Sequence, residues 1–235
     1  MFGHVEETPY DLQFSVFRIP VRVHPGFWLM GLMTAGRFEQ LDLVIVWIAC
    51  LFVSILVHEL GHALVAKSYG WPVKISLYWM GGLAISEPYR GNTRGRSMWM
   101  SFAGPLAGFG LFGLVVAGTI GLMIAANGSR EIAILLQPGT ALDQAIGYME
   151  WINLYWGLIN LLPVLPLDGG RICSEFLHVR TSLKGQRRTF QIGMIVGALV
   201  ALMFFKIEQF YAAIFFGSLA VWNYQNLEQT KRGFY

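Results

Sequence analysis

Apolar positions along this chain fall in long blocks separated by short polar stretches. A helix that crosses the hydrocarbon core of a bilayer needs about 20 mostly apolar residues. The blocks predict such helices over Leu41–Ala66, Met98–Ala126, Ala145–Leu165, Phe190–Phe205 and Glu208–Asn223, and a shorter block, Pro25–Gly36, is read as a sixth. Two segments follow a different rhythm. Phe14–Val23 and Val73–Ser86 alternate in part with period two and are rich in β-branched residues, and the second contains Gly81-Gly82. They are read as short strands at the membrane surface, with irregular loop as the alternative. Internal repeats, low-complexity runs and long polar linkers are absent from the sequence. The expectation is an all-α polytopic membrane protein of about six transmembrane helices with short β-strands at the surface, and a single membrane-embedded domain over residues 1–235.

Composition agrees with lipid as the solvent. The 235 residues are 55% hydrophobic and 13% charged, with a mean hydropathy of +0.51, against roughly 25% charged in soluble domains. A net charge of +3 with no clustered basic patch argues against nucleic acid as a partner. The basic residues instead report topology. With six spans, 14 of the 17 fall on one side: Arg18, Arg22, Lys67, Lys74, Arg90, Arg94, Arg96, Arg171, Arg180, Lys184, Arg187, Arg188, Lys231 and Arg232. Arg37, Arg130 and Lys206 fall on the other. The positive-inside rule then puts both termini in the cytoplasm of a multi-pass cell-membrane protein. Omitting the first span would strand Arg18 and Arg22 opposite the rest. The opening MFGHVEETPYDLQF lacks the apolar core of a signal peptide, so insertion is expected to rest on the internal segments. Cys50 and Cys173 form no CxxC pair and read as small packing residues.

Chemistry enters with His58-Glu59-Leu60-Gly61-His62, inside the second predicted helix. Residues four apart share a helix face about 6 Å apart along the axis. Both imidazoles can therefore hold one metal ion, zinc by preference and one per chain, with Glu59 beside it to take a proton from water. Charged groups inside a membrane helix cost about 2.5–3.5 kcal/mol each even on the lenient insertion scale. A bound zinc offsets that cost, since structural sites bind it with about 10–16 kcal/mol. The bland alternative is a polar cluster that packs helices together.

A catalytic zinc with two histidines and a water lacks one protein ligand. The candidate is Asp168, within Asn160-Leu-Leu-Pro163-Val-Leu-Pro166-Leu-Asp168-Gly169-Gly170. Asp11, Asp42 and Asp143 fall in polar or boundary segments. Pro163 and Pro166 break the helix, and two glycines allow backbone geometries that turn a carboxylate inward. By composition alone a solvated aspartate at an ordinary helix end fits equally. The predicted topology favours the ligand reading, because His58, His62 and Asp168 all fall toward the cytoplasmic ends of helices running the same way.

HELGH followed a hundred residues later by NLLPVLPLDGG resembles the site-2 protease family of intramembrane zinc metalloproteases, whose signatures are HExxH and NxxPxxxLDGG. The likeness extends to Ile19-Pro-Val-Arg-Val-His-Pro25, to the Gly81-Gly82 segment and to Phe102-Ala-Gly-Pro-Leu-Ala-Gly108. Many members carry Asn at the end of the last motif, where Ala107 and Gly108 stand here. The resemblance implies regulated hydrolysis of peptide bonds within or near transmembrane segments of membrane-protein substrates. It assigns His58, His62 and Asp168 to zinc, Glu59 as general base, and Asn160 to substrate or oxyanion contact. No stretch fits the PDZ or CBS domains that many members carry, so the chain reads as a minimal catalytic core.

Other residues read more plainly. Gly104, Gly108 and Gly113 suit close helix contact, and the family resemblance, in which a similar GxxxG lies near the active site, implies a shaping role as the second reading. His24 reads as an interfacial polar residue, and His4 and His178 receive no role. Trp71, Tyr148 and Trp222 suit the interfacial aromatic belt. A metal transporter is the main competing reading, but transporters place ligands on several helices along a path, whereas these cluster toward one side. A prenyl-protein protease would take a glutamate as third ligand. An inactive adaptor is disfavoured by the intact Glu59.

Overall fold

The computed structural model describes residues 7–35, 40–86, 91–177 and 182–232. Gly36 at the end of the first expected span, Arg37, Arg90 and Arg180 of the charge count, and His4 and His178 lie outside the described residues. The chain divides into two compact units, one of residues 1–91 and 103–157, the other of residues 92–102 and 158–235.

The first unit carries a four-stranded sheet, β1 (Leu12–Val16), β2 (Ile19–Val23), β3 (Val73–Tyr78) and β4 (Gly81–Ser86), in the order β1-β2-β3-β4. Each segment read as strand is a hairpin. Phe17 and Arg18 turn the first through positive φ of 50° and 60°, and Gly81 opens the second at φ 115°. The hairpins join in parallel, with Val21 opposite Ile75 and Val23 opposite Leu77. Alternation in β2 buries Ile19, Val21 and Val23, and β3 buries Ile75 and Leu77. With Phe27 of helix α1 (Pro25–Thr34) and Leu51 and Ile55 of helix α2 (Leu41–Ser68), they form one apolar core. His24 caps α1, its Nδ1 accepting from the Gly26 N–H at 2.9 Å, with Pro25 preset for the first helical position. The sheet therefore braces α2, the helix that bears HELGH.

At the end of α2 the chain turns through Gly70 at φ 75°, and the Trp71 N–H returns to the Ala66 carbonyl at 3.1 Å. That turn tucks Trp71 beneath the helix, where it is buried and not part of an interfacial belt. Helices α3 (Arg94–Ala126), α4 (Arg130–Leu135) and α5 (Ala141–Asn160) follow; the short α4, capped by Ser129, was not expected from the hydrophobic blocks. In the second unit, α6 (Asp168–Phe176) precedes two long packed helices, α7 (Leu183–Lys206) and α8 (Phe210–Arg232). Gly193 and Gly197 of α7 lie against Asn223 and Ala220 of α8, which lets the two backbones approach closely.

Among the described residues, three helices are long and apolar enough to cross a membrane: α2, α3 and α7. The other expected spans differ for physical reasons. At about 1.5 Å per residue, ten-residue α1 reaches only about half of a ~30 Å core. α5 ends at Asn160, ahead of the expected Leu165, because Pro163 and Pro166 cannot donate to a helical ladder. It also carries Asp143 and Glu150, and the part of α8 that falls within the expected Glu208–Asn223 span reaches only about 21 Å before the helix turns polar. Leu114, Ile120 and Ile124 of α3 and Ile195, Leu199 and Leu202 of α7 are exposed. Water would penalise such apolar stripes, whereas lipid solvates them.

Candidate active site

His58, Glu59 and His62 occupy the C-terminal part of α2 and are all buried. One helical turn brings the Nε2 atoms of His58 and His62 to 3.2 Å, with the rings at 79° to one another. Two nitrogens on one tetrahedral zinc, each at about 2.0–2.1 Å, stand about 3.3 Å apart. The pair thus fits a shared metal ion by both geometry and donor chemistry. Glycines make room for this arrangement. A methyl group on Gly61 would overlap the Ala103 carbonyl and come within 2.8 Å of the Ala107 methyl, so HELGH needs its glycine for α3 to pass α2. A methyl group on Gly104 would overlap the His62 imidazole. Gly104 is therefore a wall of the site, whereas Gly113, read from its spacing as a contact glycine, has open space around it.

Glu59 is met from the sheet. A Cβ at Gly82 of β4 would overlap its side chain, 2.7 Å from the carboxyl carbon. The glycine pair thus brings strand backbone against the proposed base, while Gly81 faces the Trp156 ring at a similar distance. One turn before His58, buried Ser54 accepts a hydrogen bond from Asn153 Nδ2 of α5 at 2.9 Å, and the same amide nitrogen donates to the Met149 carbonyl at 2.8 Å. Sequence reasoning passed over Asn153; its only signal was a polar residue between the apolar Ile152 and Leu154.

In the second unit, Asp168 is the first residue of α6 and is buried. It opens a new helix instead of closing the preceding one. A carboxylate in a first turn is favoured by the helix dipole. The two glycines after it serve close approach, not unusual φ. A Cβ on Gly169 would overlap the Leu161 carbonyl, and one on Gly170 would stand 2.5 Å from Leu165 N and 2.6 Å from the Val164 oxygen. Any larger side chain would push the first turn of α6 off the preceding loop. Asn160 is buried at the last position of α5. His58, His62 and Asp168 are all buried, and each offers a donor atom of a kind that can bind a metal ion.

Comparison with known proteins places the chain in a family. The Peptidase family M50 model matches residues 46–133 and 124–204, and the chain belongs to that family. It is 34% identical over 224 residues to sll0528 of Synechocystis sp., covering 89% of this chain and 52% of that protein. It is 32% identical over 198 residues to the zinc metalloprotease MJ0392 of Methanocaldococcus jannaschii, covering 81% and 52%. Stage IV sporulation protein FB of Bacillus subtilis is 30% identical over 158 residues, covering 66% and 46%. The chain spans about half the length of these relatives. The solved site-2 protease of Methanocaldococcus jannaschii shares the fold, with a TM-score of 0.60 at 24% identity over 93% of this chain and 95% of that one.

Proposed function

We propose that residues 1–235 work as one membrane-embedded zinc metalloprotease, cutting peptide bonds within or near transmembrane segments of membrane-protein substrates in regulated intramembrane proteolysis. The observation that carries this reading is the convergence of the buried His58 and His62 nitrogens to 3.2 Å beside Glu59. His58, His62 and Asp168 would hold one zinc per chain. Zinc, when bound, supplies a Lewis acid that makes water nucleophilic near neutral pH.

The protein's own groups do the rest. Glu59 accepts the proton of the attacking water and passes it to the departing amine. Asn160 donates its amide hydrogen to the carbonyl oxygen as that oxygen gains charge. The substrate must present an unwound segment, because a helical amide is locked in its own ladder. Strand β4 ends the sheet order among the described residues, and its Gly82 lies against Glu59. Its outer edge offers the backbone groups that an unwound segment needs. The charge segregation supports cytoplasmic termini and a site toward the cytoplasmic side, where water reaches it easily.

The test is cleavage of single-span substrates by the purified chain in proteoliposomes, with Glu59→Gln as control. The reading expects cleavage within or beside the span, abolished by Glu59→Gln although zinc is retained. Zinc flux across the vesicles that persists in Glu59→Gln, without cleavage by the unaltered chain, would replace protease with transporter.

A further inference from the structure

We infer that Asn223 of α8 is a positioning residue for Asp168, a role that rests on the reading of Asp168 as a zinc ligand. Asn223 is fully buried in a long helix of the second unit. A buried amide in such a helix is costly unless its hydrogen bonds are made. One bond of its Nδ2, to the Leu219 carbonyl at 2.9 Å, lies within its own helix and is open to any helical Asn. The other leaves the helix and reaches the Leu165 carbonyl at 2.8 Å.

Leu165 sits between α5 and α6, where Pro163 and Pro166 contribute no N–H and a regular ladder cannot form. Its peptide is also the surface on which the first turn of α6 rests, since Gly170 packs on Leu165 N and the Val164 carbonyl. A shift of the Leu165 peptide therefore tilts the turn that begins with Asp168. The far side of Asn223 is set by α7. A Cβ on Gly193 would lie 2.5 Å from Asn223 Oδ1 and 2.8 Å from its Cγ, so only glycine leaves the amide in place. Gly193, Asn223, Leu165 and the Asp168 turn form one chain of contacts. Leu219 and Leu227, also buried on α8, offer no comparable bond.

Zinc dissociation constants measured by chelator competition on the full-length detergent-solubilised protein, with visible spectra of the cobalt-loaded form, test this. Asn223→Leu removes the donor at similar volume, and Gly193→Ala displaces it while keeping every donor. Ala also favours helix over Gly, so a defect there does not come from a weakened α7. Both variants should bind zinc about ten- to a hundredfold more weakly and shift the cobalt bands. Gly217→Ala, on the same helix with open space around it, should match the unaltered protein. If Asn223→Leu fails to fold, Gly193→Ala still decides. Unchanged affinity and bands in the folded variants, with Asp168→Asn weakened, overturn the positioning role and leave the ligand standing. Unchanged affinity in Asp168→Asn overturns both.

Discussion

Gly104→Ala adds one methyl group to the wall of the site. Its Cβ would overlap the His62 ring and lie 2.7 Å from Cδ2, far inside van der Waals contact. The α3 backbone at this point is pressed against Gly61 through Ala103, so retreat of the helix would disturb the whole crossing. The cheaper relief is rotation of the imidazole, which takes Nε2 away from its position 3.2 Å from His58. Overpacking of this kind costs about 1–3 kcal/mol. If that strain falls on the metal-binding rotamer, it weakens zinc binding about 5- to 140-fold at 1.4 kcal/mol per tenfold. Chelator competition on purified protein reads this directly, with Gly113→Ala on the same helix, where nothing lies within 4 Å, as the matched control. Affinity in Gly104→Ala equal to that of the control would refute the claim that Gly104 walls the metal site.

Gly82→Ala pushes on Glu59 and not on the histidines, so turnover should fall about tenfold or more while zinc content stays at the unaltered level; zinc loss in step with activity would contradict it. Substrates with Gly, Pro or Asn near the cut should be cleaved faster than uniformly helical ones, and equal rates in a paired substrate series would remove the unwinding requirement. Asp11 gives a pH signature. Burial raises its carboxyl pKa, but hydrogen bonds from Thr8 and the Arg22 charge outweigh that and hold it below 3.8. Its contribution is thus present above that value and fades as pH falls through the lower folded one. Asp11→Asn should therefore lower the unfolding midpoint at pH 7, and its difference from the unaltered protein should shrink as the pH is lowered below 3.8; a difference that stays constant on acidification would contradict this.

The parts of the site legible in the sequence were local ones. His58, Glu59 and His62 share one helix, and the i, i+4 rule fixes their common face without tertiary information. Pro163 and Pro166 marked a break, yet the start of a new helix at Asp168 was hidden because nothing in LDGG signals a cap. The glycine pairs were visible, but what each glycine touches was not. Gly82 meets Glu59 through a strand, Gly104 meets His62 across helices, and Gly193 meets Asn223 between α7 and α8. Such neighbours depend on packing between distant segments, and a one-residue pattern carries no record of them. Parallel pairing of β2 with β3 is non-local in the same sense. Trp71 looked interfacial because composition reports amphipathicity, not the turn at Gly70 that buries it.

The central claim is a zinc site built by His58, His62 and Asp168, and zinc per chain measures it most directly, in the unaltered protein and in Asp168→Ala, His58→Ala and His62→Ala. The expected result is about one zinc per chain, falling sharply in each variant. A metal-free unaltered protein, or full occupancy in Asp168→Ala, would contradict it.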